Sequence, residues 1–131
     1  MSLLNKLFGN NSSSENKEVK NIPWKNLTSI DQLMEIKETS KTKTVAVFKH
    51  STRCGISRMV LGQFEREFDI ADNDVDLYYL DLLNYRNISD EIAARFQVFH
   101  QSPQLLVIKN GVSVFDTSHH SIDANLLKNY I

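Results

Sequence analysis

Four consecutive apolar residues, Val45-Ala46-Val47-Phe48, narrow the choice of fold more than any other stretch of this chain. A strand without polar alternation has to be covered on both faces, which calls for a sheet packed between layers. The chain then turns helical, because Ile56, Met59, Val60, Phe64 and Phe68 recur at the spacing of one helix face. Between strand and helix lies the polar turn Ser51-Thr52-Arg53, and directly after it Cys54, the one cysteine in 131 residues. A cysteine at this seam sits in the positive field of a helix N-terminus, beside N–H groups without helical partners. Such groups favour the thiolate, the form that attacks disulfides.

The elements on either side extend the pattern. Residues 1–21, with the polar run Asn10-Asn-Ser-Ser-Ser-Glu-Asn-Lys-Glu, are expected to be a flexible tail. Leu3, Leu4, Leu7 and Phe8 allow one amphipathic turn there, with a frayed end as the plainer reading. A domain starts at Ile22-Pro23-Trp24, an expected edge segment because Pro23 gives up a ladder donor. A helix follows from about Ser29, with Thr28 and Ser29 as candidate caps and Asp31 or Gln32 completing a capping box. Ile30, Leu33 and Met34 should face inward. The strand over 44–49 leads to the helix that ends near Phe68. Val75–Leu83 reads as the next strand, followed by a turn at Asn84–Asn87 and a helix capped by Ser89 that carries Ile92, Ala93 and Phe96. Leu105–Ile108 is a further apolar strand, and Asn110-Gly111 marks a hairpin into Val112–Phe115. Ser121 opens a last helix with Ile122, Leu126, Leu127, Tyr130 and Ile131 at core spacing. The order β-α-β-α-β-α-β-β-α describes an α/β domain, a small mixed sheet with helices on both faces.

Charge and cysteine count limit the function. A net charge of −1 suggests neither a nucleic-acid partner nor an anionic membrane surface. No apolar run approaches the roughly 18 residues that span a bilayer, so no integral membrane segment is expected. The N-terminal stretch lacks the h-region and cleavage site of a secretory signal. One cysteine cannot form an internal disulfide, and the cytoplasm is the expected compartment.

With these residues placed, the chain resembles the thioredoxin superfamily: a cysteine after the second strand, an X-Pro before a strand-Asn-Gly-strand hairpin, and a closing helix. The likeness covers Trp24 to Ile131, so that 22–131 is expected to be a thioredoxin-like domain. Within it, Phe48-Lys-His-Ser-Thr-Arg-Cys54-Gly-Ile-Ser57 together with His100-Gln-Ser-Pro-Gln104 resembles the YtxJ family, the monothiol bacilliredoxins of the bacillithiol system. That family often carries Pro after the cysteine, where this chain has Gly55. The resemblance implies removal of bacillithiol from protein cysteines, or its binding in transit. No tightly bound cofactor is implied; bacillithiol or a similar low-molecular-weight thiol would be the co-substrate. The partners would be thiolated client proteins and that thiol, and the chain a monomer. The resemblance also makes Ser102-Pro103 a cis peptide on a loop facing the cysteine, with the Ser102 backbone pairing to an extended substrate.

Cys54 is the expected nucleophile, with Arg53, Gly55 and Ser57 as the thiolate-stabilising set. Thr52, Arg58, Ser102, Pro103 and Gln104 are the expected substrate-binding set, and no metal ligands are expected. Ser57 stands where a second cysteine would complete a Cys-x-x-Cys motif; its hydroxyl could donate to the thiolate or bond to local backbone. Without a resolving cysteine, Cys54 must keep the small thiol as a mixed disulfide until another thiol releases it. Arg53 and Arg58 could stabilise the thiolate or recognise carboxylates on the small thiol, a solvated pair being the plain alternative. Gln104 either adds side-chain contacts or faces solvent. His50 could perturb the thiol, though surface or edge placement is commoner. His119 and His120 lack a third metal ligand and are expected in solvent. Asp81 reads equally as a buried proton-transfer acid or as the cap of the next turn.

Two other functions stay open. Cys54-Gly-Ile-Ser57 lies one residue from the Cys-Gly-Phe-Ser of monothiol glutaredoxins, which carry iron–sulfur clusters, but the glycine-rich stretch those proteins have after their X-Pro strand is missing. A non-catalytic thioredoxin-like adaptor is the other.

Overall fold

The computed structural model describes residues 21–131, so the tail expected over 1–21 lies, but for its last residue, outside the described residues. In chain order come β1 (Trp24–Asn26), α1 (Asp31–Thr39), β2 (Thr44–His50), α2 (Gly55–Glu67), β3 (Val75–Asp81), α3 (Arg86–Phe96), β4 (Gln104–Lys109) and β5 (Val112–Ser118). Two 3₁₀ segments follow, His119–Ser121 and Ala124–Tyr130. The five-stranded sheet has the order β1-β3-β2-β4-β5. β1, β3 and β2 run parallel, and β4 and β5 are antiparallel additions.

Every residue of β2 is buried, as its unbroken apolar run requires. Val45 and Val47 face a layer built from Leu33 and Ile36 of α1 and Ile88, Ile92 and Phe96 of α3. Ala46 and Phe48 face the opposite layer, with Val60 and Phe64 of α2 and Ile122, Ala124 and Leu127 of the last segment. In that second layer Phe48 meets Phe64 edge-on at 5.4 Å, and Trp24 stacks on Phe64 at 5.8 Å. These ring spacings are favourable beyond the area they bury.

Several element details depart from the sequence expectations. The inward stripe of α2 is Ser57, Val60 and Phe64, while Ile56 and Met59 are 46% and 54% exposed. A serine holds an inward position there, which turns its apolar neighbours outward. In α1 the buried pair is Leu33 and Ile36, and Met34 is 59% exposed. Neither Thr28 nor Ser29 caps α1, whose N-cap is Ile30; Gln32 supplies the reach-back half of a capping box, its Oε1 accepting the N–H groups of Thr28 and Ser29 at 2.7 and 3.0 Å. β3 stops at Asp81 because that carboxylate organises the turn: Oδ1 accepts the Leu83 N–H at 3.2 Å and Oδ2 the Asn84 amide at 2.8 Å. Asp81 therefore caps a turn, and α3 starts at Arg86 with Ser89 buried inside it rather than capping it. The edge strand begins at Trp24, beyond Pro23. The closing segment is 3₁₀ instead of α, is capped by the Asp123 side chain on Asn125 N–H at 2.8 Å, and leaves Ile131 50% exposed.

The hairpin forms at Asn110-Gly111, both with positive φ (52° and 79°), as a two-residue turn of this hand demands. It is tied to the end of α1: Asn110 N–H donates to Ser40 O at 2.7 Å and Gly111 N–H to Ser40 Oγ at 2.8 Å. At the same end of the sheet the Tyr130 carbonyl accepts from Thr44 Oγ1 at 2.6 Å and Lys109 Nζ at 2.9 Å. Ile131 lines a cavity there together with Ser40, Thr44 and Asn110.

Candidate active site

Cys54 is the N-cap of α2, with extended backbone at φ −99°, ψ 123°, and it is half-buried. Its N–H donates to Ser51 O at 3.2 Å, and its own carbonyl accepts the Arg58 N–H at 3.0 Å. The thiol thus belongs to the residue at which β2 has ended and the helical hydrogen bonds begin. Thr52, Arg53 and Gly55 around it are exposed. Arg58 reaches back over the turn, its Nη1 donating to Thr52 O at 3.3 Å, so that this guanidinium braces the turn. A Cβ at Gly55 would meet Arg58 Nη2 at an ordinary 3.9 Å, so space alone does not require glycine there.

His50 and Ser57 lie directly beneath the turn, both buried. The Ser57 hydroxyl is 2.8 Å from His50 Nδ1 and accepts the Ser51 N–H at 3.1 Å. Ser57 is engaged with the histidine and the turn rather than with sulfur. His50, expected on the surface or an edge, is in the core against Tyr79 and Phe48, with ring centroids at 5.6 and 6.4 Å. Burial lowers its pKa, and Arg58 adds to the effect while Asp81 and Glu65 oppose it. His50 is therefore neutral at physiological pH.

The second wall comes from the strand beside β2. Lys49 pairs with Gln104 in the antiparallel ladder, so the residue after β2 and the residue before β4 emerge at one end of the sheet. That register brings the Cys54 turn and Ser102-Pro103 to the same end. The Ser102–Pro103 peptide is cis, and Pro103 O accepts the His119 N–H at 3.0 Å. Pro103 is buried and Ser102 half-buried. Gln104 does not face solvent. It is 1% exposed, with Oε1 accepting Gln101 N–H at 3.3 Å and Nε2 donating to Phe99 O at 3.0 Å. This makes it a brace for the 99–103 loop. At the tip of that loop Phe99 is 93% exposed. His119 and His120 are in solvent. Among the described residues no group of three or more histidine, cysteine or acidic side chains could hold a metal ion.

Sequence reasoning missed Lys49, which is fully buried with no hydrogen-bond partner for Nζ among the described residues. Burial pushes it down to about 8, against a small opposing pull from Asp90. Its one sequence signal was a lysine closing an otherwise apolar strand. Ser89 Oγ and His100 Nδ1, 3.3 Å apart, form a second polar pair behind the loop.

No helix among the described residues is long and apolar enough to cross a membrane. A solved structure of a protein with a thioredoxin fold is 36% identical over 82% of this chain and 92% of its own, with a TM-score of 0.69. Thioredoxin from Malassezia sympodialis is 21% identical over 86% and 93% of the two chains, with a TM-score of 0.60. The corresponding figures for Fasciola hepatica thioredoxin are 21%, 82%, 95% and 0.57. These last two share the thioredoxin fold seen here, a mixed sheet between helical layers. Residues 25–127 match the family described as monothiol bacilliredoxin BrxC. The lone thiol at a helix N-terminus and the thioredoxin fold agree with that match, and the chain belongs to the monothiol bacilliredoxin BrxC family, its function lying in thiol redox chemistry.

Proposed function

We propose that the protein is a monothiol disulfide oxidoreductase that removes a low-molecular-weight thiol, bacillithiol or a similar one, from protein cysteines. The observation that carries this reading is Cys54 as the N-cap of α2, at the sheet end that also holds Ser102–Pro103, with Ser57 in the position of a resolving cysteine. The thiolate of Cys54 attacks the small-thiol sulfur of a protein–S–S–R mixed disulfide. A Cys54–S–S–R bond forms, the protein–S bond to that sulfur breaks, and the client leaves as a thiolate that takes up a proton. A second thiolate R′–S⁻ then attacks the same small-thiol sulfur, releasing Cys54 as thiolate and R–S–S–R′. The unpaired N–H groups at the start of α2 favour the anionic sulfur in both steps. Arg53, exposed and next to Cys54 in the chain, meets carboxylates on the small thiol, and the Ser102 backbone pairs with an extended client. A reducing cytoplasm is the setting this chemistry fits, with the protein acting as a monomer on thiolated clients.

The test is release of bacillithiol from a bacillithiolated model protein, followed by mass spectrometry. Wild-type protein should release it and acquire the adduct on Cys54. Full activity in Cys54→Ala would overturn the reading.

A further inference from the structure

Between residues 97–101 and the end of β5 lies a cleft of about 490 Å³, within the roughly 300–1,000 Å³ of small-molecule sites. Asp116 stands opposite Leu106 in the β4–β5 ladder, and Ser118 stands opposite Gln104. Residues paired in this way share a face, and Leu106 belongs to the α1–α3 layer. Both side chains therefore lie on the sheet face along which residues 97–101 run. Gln97, Gln101, Asp116, Ser118 and His119 line the cleft, and none of these five side chains has a hydrogen bond or ion pair with another described residue. Elsewhere at this end of the sheet the polar side chains are committed, Gln104 to its loop and Ser57 to His50 and the turn. Three non-glycine residues among those described have left-handed backbone, and two of them, Gln97 at φ 56° and His119 at φ 57°, line this cleft. Glycine is the ordinary residue in that conformation, so these positions keep side chains where the backbone favours none. Phe99, 93% exposed, lines the same cleft.

The cleft adjoins the proline loop. Gln101 is two residues before Pro103, and the His119 N–H donates to Pro103 O at 3.0 Å. The His119–Ser121 turn also packs against α2, the helix that Cys54 opens. The lining then defines what fits. Among the described residues no lysine or arginine lines the cleft, so a carboxylate or phosphate gains no counter-charge there. Amides, a hydroxyl and an imidazole donate and accept hydrogen bonds, and a carboxylate accepts through both oxygens. A group with several hydroxyls matches such a mixture, and an aromatic ring beside it covers the C–H face that a sugar presents between its hydroxyls. We propose that this cleft holds a sugar-like, hydroxylated part of the small thiol while its sulfur is on Cys54, with Gln97, Gln101 and Asp116 meeting hydroxyl groups and Phe99 covering the ring. The inference rests on the proposed function, since a small thiol has to be carried on Cys54, and it adds where the rest of that thiol lies and what chemistry selects it.

The first measurement needs no turnover. The full chain carrying Cys54→Ser, which cannot form the adduct, is titrated by NMR with bacillithiol, whose cysteine is carried on an amino sugar, and separately with free cysteine. Bacillithiol should shift the backbone amides of Gln97, Gln101 and His119 saturably, and cysteine should leave them in place. The second measurement compares two mixed disulfides of one model protein, with bacillithiol and with cysteine. The ratio of kcat/KM for the first over the second should fall about tenfold or more when Asp116→Ala and Gln101→Ala are combined, chiefly through KM. Both residues are exposed, so the substitutions remove no core contact. An equal loss on both disulfides would give the cleft to the client chain and overturn the proposal, as would bacillithiol shifts confined to residues 51–58. Cleft shifts in a protein that turns over neither disulfide would leave the cleft assigned and count against the proposed function instead.

Discussion

Lys49 stands directly across the β2–β4 ladder from Gln104, and the two buried polar side chains share the sheet face beneath the proline loop. Gln104 satisfies its amide on the loop backbone, whereas Lys49 Nζ has no hydrogen-bond partner among the described residues. The same end of the fold thus contains one polar group that stabilises and one that costs free energy.

Replacing Lys49 by Met should stabilise the protein by about 2 kcal/mol at neutral pH, because a buried ammonium is replaced by an apolar chain of similar length. The sign with pH is fixed by the pKa difference. Lys49 lies at about 8 in the folded protein against 10.5 for the free side chain, so the unfolded chain binds the extra proton between those values. The penalty is complete below about 8 and is relieved as pH rises through the window. Urea midpoints should therefore show wild type approaching Lys49→Met between pH 8 and 10.5. An equal gap at both ends would contradict this.

Gln104→Ala removes both side-chain bonds to the 99–103 loop. Stability should fall by about 1–2 kcal/mol. Turnover on a mixed disulfide should drop severalfold, while iodoacetamide still labels Cys54 at the wild-type rate. If labelling falls in parallel with turnover, Gln104 does more than brace its loop.

Ser57→Cys should convert the one-sulfur chemistry into the two-sulfur kind. The new thiol lies one helical turn from Cys54 and can displace the small thiol, so the adduct on Cys54 should give way to an internal disulfide. Intact-mass analysis after reaction with a mixed disulfide distinguishes the two species. An adduct as long-lived as in wild type would show that residue 57 cannot reach the sulfur.

Asp76→Asn tests an ion cluster remote from the thiol. Asp76 is buried, with Lys43 at 2.6 Å and Lys25 at 2.9 Å. Burial pushes its carboxyl up, but the hydrogen bonds from the two lysines outweigh this and hold it below its ordinary value. The stabilisation is therefore present above 3.8 and lost as pH falls through the lower folded value. Both lysines are partly in water, so the neutral substitution should cost only about 1–2 kcal/mol at pH 7. Its effect should vanish in strong acid, as read from thermal midpoints.

What the sequence made legible was the framework: the succession of strands and helices along the chain, the hairpin at Asn110-Gly111, and Cys54 at a strand-to-helix seam. Each rests on a strong local signal, an apolar run or a turn dipeptide. The inward face of α2 was legible at Val60, Phe64 and Phe68 but not in its first turns, where a buried serine took an inward position and Ile56 and Met59 turned out to water. Amphipathic spacing assumes that inward means apolar, and Ser57 breaks that assumption where the thiol sits. His50, Lys49 and Gln104 were misplaced or missed for the related reason that polar residues at strand ends usually face solvent. The closing 3₁₀ segment escaped because, over seven residues, spacings of 3.0 and 3.6 mark nearly the same positions.

The knot of contacts at Ser40, Asn110 and the Tyr130 carbonyl has a practical consequence. Ile131 lies half exposed at that pole, across the length of the sheet from the sulfur. A fluorophore or a surface tether attached there would hold the molecule by its base, leaving Cys54 free at the far end of the sheet.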